Sequence, residues 1–200
     1  FALKNFLKKN AEKRASGAYN KKTGKKIAAC IPMHTFGFPC RIKEICDVCA
    51  EWGIAVIEDA AESLGSYVGK KHTGTFSLMA SFSFNGNKII TTGGGGMLIT
   101  NNLKLAKRAK HITTTAKVPH PYEYIHDEIG YNYRMPNLNA ALGCAQIEFL
   151  NEFLSIKKKL ANYWYQFFKK RNINCIRPLQ NNKANYWLNT LVLNTRKERE

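Results

Sequence analysis

An α/β fold with a mixed, mostly parallel sheet flanked by helices is the class this sequence predicts, and three observations carry it. Between Ile27 and Ile57, β-branched apolar runs enclose a helix-period segment, the strand, helix, strand order of a parallel crossover. Two further strand-like runs, Ala80 to Phe84 and Met97 to Thr100, are bounded by polar and glycine-rich turns. The 200 residues are 44% hydrophobic, enough for one good-sized core and part of another.

Taken in order, Leu3, Phe6 and Leu7 recur at helical spacing, and Ile27 to Met33 reads as a buried strand ended by Pro32 and a turn over His34 to Pro39. A helix is predicted from Arg41 to Trp52, stopped by Gly53. Ile54 to Ile57 follows as a short strand that delivers Glu58 and Asp59 at its C-terminal end, where functional groups gather in such sheets. Gly65, Gly69 and Gly74 predict a small surface excursion around Tyr67 and Val68. Ala80 to Phe84 empties into the polar turn Asn85-Gly86-Asn87-Lys88, and Gly93 to Gly96 precede the strand Met97 to Thr100. Helices are expected over Leu103 to His111, from Asn137, and over Ile156 to Lys169, with a loop from Thr113 to Asp127. Charge density rises after Asn151, which sets an expected boundary between residues 1–151, part of a large domain, and 152–200, the start of a smaller one. The opening on Phe1 and the stop after Thr195 to Glu200 predict a segment of a longer polypeptide.

The formal charge is +17. Its lysines gather near the start, over Lys104 to Lys110 and over Lys157 to Lys159, as solvated faces without interleaved stacking aromatics, so the expected polyanion is a small phosphorylated molecule rather than nucleic acid. No apolar run approaches the roughly 20 residues of a membrane span, and no export signal opens the chain; a cytoplasmic protein is expected. Cys46 and Cys49 form a C-x-x-C, yet no second pair follows and His34 lies at no zinc-finger spacing. Ile45, Cys46, Cys49 and Trp52 share a helical period, which predicts packing and no metal.

Taken singly, Asp59 reads as a cap or turn residue and Lys88 as a solvated charge. Together, Glu58-Asp59-Ala60-Ala61-Glu62-Ser63-Leu64-Gly65, then Phe82 through Met97, then Gly130-Tyr131-Asn132-Tyr133-Arg134, with His34-Thr35-Phe36-Gly37 upstream, are similar in order and spacing to three signatures of the DegT/DnrJ/StrS sugar aminotransferases. The resemblance runs from about Ile27 to Leu150. It implies the pyridoxal 5'-phosphate-dependent, aspartate aminotransferase-like (fold type I) architecture, of which this chain is a fragment.

Residue by residue, the resemblance implies Lys88 as the lysine that bonds the cofactor aldehyde and shuttles the proton, and Asp59 as the partner of the pyridine nitrogen. Ser83 matches the serine on the cofactor phosphate, and Glu62 stands where many members carry glutamine beside the ring. Asn132 matches a residue that reaches the phosphate in the neighbouring subunit, implying a homodimer with shared sites. The run Asn85 to Gly96 most resembles the legionaminic-acid-pathway 4-aminotransferases, which implies amino transfer from glutamate to a UDP-linked 4-keto-6-deoxy-N-acetylhexosamine in surface-glycan biosynthesis. GDP-perosamine synthases are the alternative; these usually carry an acidic residue where Gly94 stands. A dehydratase of the same architecture would have histidine in place of Lys88, and a non-catalytic basic binding protein that keeps the fold would have no need of the Asp59 and Lys88 pair. The phosphate-binding loop, the aromatic that stacks on the ring and most of the small domain are expected outside these residues, so the 200-residue piece alone is expected to be inactive.

Overall fold

A computed structural model describes residues 2–200. The chain opens with helix α1 (Ala2–Asn10), continues into the hairpin β1 (Ala11–Arg14) and β2 (Gly17–Asn20), and enters the main sheet at β3 (Ala29–Cys30). A tight turn over Thr35–Gly37 leads to α2 (Ile42–Glu51) and β4 (Ala55–Asp59). The hairpin β5 (Tyr67–Val68) and β6 (Lys71–His72) precedes β7 (Met79–Ser83) and β8 (Gly96–Ile99). Then come α3 (Leu103–Thr113), the two-residue ladder β9 (Lys117–Val118) with β10 (Ile125–His126), and the helices α4 (Asn137–Glu148) and α5 (Leu150–Lys169). Short strands β11 (Asn174–Cys175), β12 (Asn182–Lys183) and β13 (Leu191–Val192) and helix α6 (Arg196–Arg199) complete it.

The central sheet has the order β3-β4-β7-β8, with β3, β4 and β7 parallel and β8 antiparallel to β7. This is the expected mixed, mostly parallel sheet. It is built because α2 buries Ile42 and Cys49 on the face that meets Ile54 and Val56, the crossover packing that makes parallel strands neighbours. Burying a side chain such as Ile42 contributes roughly 1.5–3 kcal/mol. Cys46 and Cys49 lie on this helix, half-buried and buried, and burial pushes the Cys49 thiol up to about 12. Such a thiol stays protonated and behaves as a small apolar group. A second cluster, Ala60, Ala80, Phe82, Phe84 and Ile90, packs against Leu150 and Phe153 of α5.

Of the four consecutive glycines, Gly93 and Gly95 take φ of +79° and +84°, the region that favours glycine, and at Gly96 a Cβ would sit 2.3 Å from the Phe82 carbonyl oxygen of the paired strand. At Gly94 a Cβ meets nothing within 4 Å. Gly96→Ala is therefore expected to destabilise by about 1–3 kcal/mol, whereas Gly94→Ala stays within about 0.5 kcal/mol; urea midpoints of the two variants measure the difference.

The architecture differs from the sequence reading in three places, one being the β9–β10 ladder inside the expected loop Thr113 to Asp127. Ala11 to Asn20 pair as a hairpin, and the excursion around Tyr67 is the middle of a three-stranded sheet, β12-β5-β6, whose third strand comes from residues 182–183. Ser63, Ser66 and Thr73 beneath it are buried and bonded to one another, with Ser63 Oγ 2.9 Å from Thr73 Oγ1 and Thr73 Oγ1 donating to the Ser63 carbonyl at 2.9 Å. No helix among the described residues is long and apolar enough to cross a membrane.

Candidate active site

The C-terminal ends of β4 and β7 bring the candidate residues to one edge of the sheet. Asp59 closes β4 and pairs in register with Ser81 of β7, and Ser83 lies two residues further along. Paired positions and positions two apart share a face, so Asp59, Ser81 and Ser83 point to the same side. Past Ser83 the chain turns: Ser83 Oγ accepts from Asn85 N at 3.3 Å and Lys88 N donates to the Asn85 carbonyl at 3.1 Å. The loop then returns to the sheet through buried Ile90 and through Thr92 N, which donates to the Phe84 carbonyl at 3.0 Å. Gln146 of α4 accepts from Thr91 N at 2.7 Å and fixes the loop from outside.

Lys88, Glu62 and Ser83 line one narrow cleft together with Trp187. The Lys88 Nζ lies 3.9 Å from Glu62 Oε1 and 4.0 Å from the centre of the Trp187 ring, with the Lys88 and Glu62 side chains 14% and 17% exposed. The other carboxylate oxygen of Glu62 accepts from Phe36 N at 2.6 Å. Two of the predicted residues are placed otherwise. Asp59 lies beside the cleft without lining it, and its Oδ1 accepts from Ala61 N at 3.1 Å. Asn132 lines a separate groove of about 1330 Å³ between β8, α3 and residues 131–136.

Beneath this edge lies the buried pair His34 and Glu58. Glu58 Oε2 accepts from His34 Nε2 at 3.0 Å and from Gly74 N at 2.7 Å, while Oε1 accepts from Phe76 N, Ser77 N and Ser77 Oγ at 2.8 to 3.0 Å. Because His34 Nδ1 accepts from Cys40 N at 3.2 Å, the ring proton is on Nε2 and points at Glu58. Burial pushes the Glu58 carboxyl up, but its hydrogen bonds, led by that from His34, outweigh burial and hold it below the ordinary value of 4.5. The pair thus ties the Thr35–Gly37 turn, which positions Glu62, to the strand that ends in Asp59.

Trp187 is the site residue the sequence reading missed. It follows Asn185, whose Nδ2 donates to the Glu62 and Leu64 carbonyls at 2.8 and 2.9 Å and whose N donates to Ser66 Oγ at 2.9 Å. Gly37 is needed for this seat: a Cβ at its φ of +87° would lie 1.8 Å from Asn185 Oδ1.

Elsewhere, His111, Asp127 and Glu128 bring potential ligand atoms within 4.8 Å of one another. They satisfy each other without an ion: Arg108 donates to both Glu128 oxygens and His111 Nε2 lies 2.7 Å from Asp127 Oδ1.

A primary amine, a hydroxyl at a strand end and a carboxylate on the adjacent strand are the donor set that pyridoxal phosphate requires, so the residues fit that cofactor chemically. The space left between the side chains of the cleft is about 10 Å³.

Comparison with known proteins places the chain among sugar aminotransferases. The GDP-perosamine synthase of Escherichia coli O157:H7 is 38% identical over 179 residues, covering 88% of this chain and 48% of that enzyme. That of Vibrio cholerae is 34% identical over 173 residues, covering 86% and 47%. Among solved structures, the Helicobacter pylori aminotransferase PseC, involved in the biosynthesis of pseudoaminic acid, superposes with a TM-score of 0.79 at 24% identity over 84% of this chain and 46% of that one; this likeness shows the fold. The chain spans about half the length of the curated relatives it matches. Residues 12–200 match the profile of the DegT/DnrJ/EryC1/StrS aminotransferases, a family of pyridoxal-phosphate-dependent sugar aminotransferases, and the chain belongs to that family.

Proposed function

We propose that the protein containing this chain transfers the amino group of glutamate to a nucleotide-linked 4-keto-6-deoxy sugar, with Lys88 as the reacting amine. The observation that carries the reading is the placement of Lys88 Nζ beside Glu62, in the cleft that Ser83 also lines, at the C-terminal edge of parallel strands. Pyridoxal phosphate, when bound, supplies the electron sink for amino transfer. Lys88 would hold the cofactor covalently and, when free, move the proton between the two carbons that exchange it. Ser83 would hold the phosphate. Asp59, one strand over, would keep the pyridine nitrogen protonated, and Glu62, fixed by Phe36 N, would orient the amine.

The Gly94 position favours a UDP-linked N-acetylhexosamine as acceptor. Names of relatives at 34–38% identity favour the GDP-linked perosamine precursor instead. Incubating full-length protein with pyridoxal phosphate, glutamate and a panel of UDP- and GDP-linked 4-keto sugars, with products read by mass, is expected to show an amino-sugar from the UDP-linked substrate. Amination of the GDP-sugar alone would select the second reading, and no amination of any sugar would overturn the proposal.

Asn132 and its exposed neighbours Tyr131 and Tyr133 support a homodimer in which Asn132 serves the other subunit's cofactor. A division at residue 151 into portions of a large and a small domain is proposed from the rise in charge density after Asn151, with α5 running through it and residues 182–187 seated on the larger portion. A cytoplasmic location is proposed as well.

A further inference from the structure

The amine of Lys88 has an unusual setting. Its two close neighbours, a carboxylate oxygen at 3.9 Å and an indole face at 4.0 Å, both lie beyond hydrogen-bond range. The ammonium is therefore oriented by electrostatic attraction from a negative charge and a negative ring face, without being tied down by a donated bond. A group that must leave its resting place to reach a reacting carbon is served by that kind of restraint.

Trp187, by contrast, is fixed by three hydrogen bonds, one from its ring and two at its backbone. Its Nε1 donates to the Asn87 carbonyl at 2.7 Å, its backbone N donates to Asn185 Oδ1 at 2.8 Å, and its own carbonyl accepts from Lys157 Nζ at 3.0 Å. The residue before it, Tyr186, is held at a φ of 52°, and Phe36, which faces Trp187 across 6.4 Å, at a φ of 58°. Non-glycine residues in this region persist only where their surroundings over-determine them, and such strain gathers at functional positions. Both strained residues serve the same amine: Phe36 fixes Glu62, and Tyr186 delivers Trp187.

We propose that Trp187 is a positioning residue for Lys88, its ring face holding the free amine in place between covalent engagements. This rests on the reading of Lys88 as the reacting amine, and the two are separable by experiment. In cofactor-free full-length protein, trace acylation with acetic anhydride is followed at Lys88 by peptide mass, relative to exposed Lys104. Removing the ring in Trp187→Leu is expected to raise Lys88 labelling about fivefold, as a loosened and uncovered amine reacts faster. Trp187→Phe keeps a ring face and is expected to stay within about twofold of the parent. In turnover, Trp187→Leu lowers kcat about tenfold with the glutamate KM changed less than about threefold. Should the leucine variant not fold, Trp187→Met serves as the ring-less protein. Labelling unchanged in the ring-less variant, or raised equally in Trp187→Phe, overturns the proposal, as does an effect confined to KM. Independently, pyridoxal phosphate and borohydride applied to the parent protein should leave a stable adduct at Lys88; its absence sinks the assignment of Lys88 while the acylation arm still decides on Trp187.

Discussion

Lys88→Ala is expected to lower kcat of the full-length protein by about 10³-fold or more, with no covalent cofactor adduct at position 88 after treatment with pyridoxal phosphate and borohydride. Lys88→Arg should be equally inactive. Its guanidinium keeps the charge beside Glu62 but stays protonated at every working pH and has no lone pair to offer. Neither loss should come from unfolding, because Lys88 Nζ lies 3.9 Å from Glu62, beyond hydrogen-bond range, and Glu62 keeps its bond from Phe36 N when the amine is removed. Thermal melting of the alanine variant within a few degrees of the parent, together with lost turnover, is the expected pair of results. Normal turnover would remove Lys88 from the mechanism.

The second large effect is on stability. Replacing Glu58 by alanine strands the donors of Gly74, Phe76, Ser77 and His34 in a fully buried place, at a cost of about 3–5 kcal/mol. Glu58→Gln keeps the shape but turns an NH₂ group toward donors on one side, which should cost about 2 kcal/mol. The parent protein also carries a pH signature. Folded Glu58 titrates below 4.5, its ordinary value, so the unfolded chain binds more protons between the two values. Its contribution is complete above pH 4.5 and is lost as the pH falls through the folded value. Urea midpoints measured from pH 6 downward should therefore fall more steeply for the parent than for Glu58→Gln; parallel curves would contradict the role given to Glu58.

The sheet was legible because its strands are short apolar runs with a consistent outcome: the runs at 54–57, 80–84 and 97–100 became Ala55–Asp59, Met79–Ser83 and Gly96–Ile99, each shifted by a residue or so. Helices at 42, 103 and 137 were equally readable from period and turn residues. Residues 11–20 were not, because Ala11-Glu12-Lys13-Arg14 carries one apolar side chain and pairs through its backbone to Gly17–Asn20. Lys88, Glu62 and Ser83 came from contiguous motifs and do share a cleft. Trp187 left no local trace, since its partner in the Nε1 hydrogen bond, Asn87, is 100 residues away and an aromatic in an apolar stretch reads as packing. Nor does any spacing in the sequence reveal that Asn185 bridges the Glu62 and Leu64 carbonyls.

That 100-residue separation has a consequence for synthesis. At roughly 5–20 residues per second, the ribosome needs roughly 5–20 s to make the indole after the stretch it will cover. Throughout that interval the tryptophan that will cover Lys88 does not yet exist, so the wall of the cleft is added to the lysine loop only after that loop has been made.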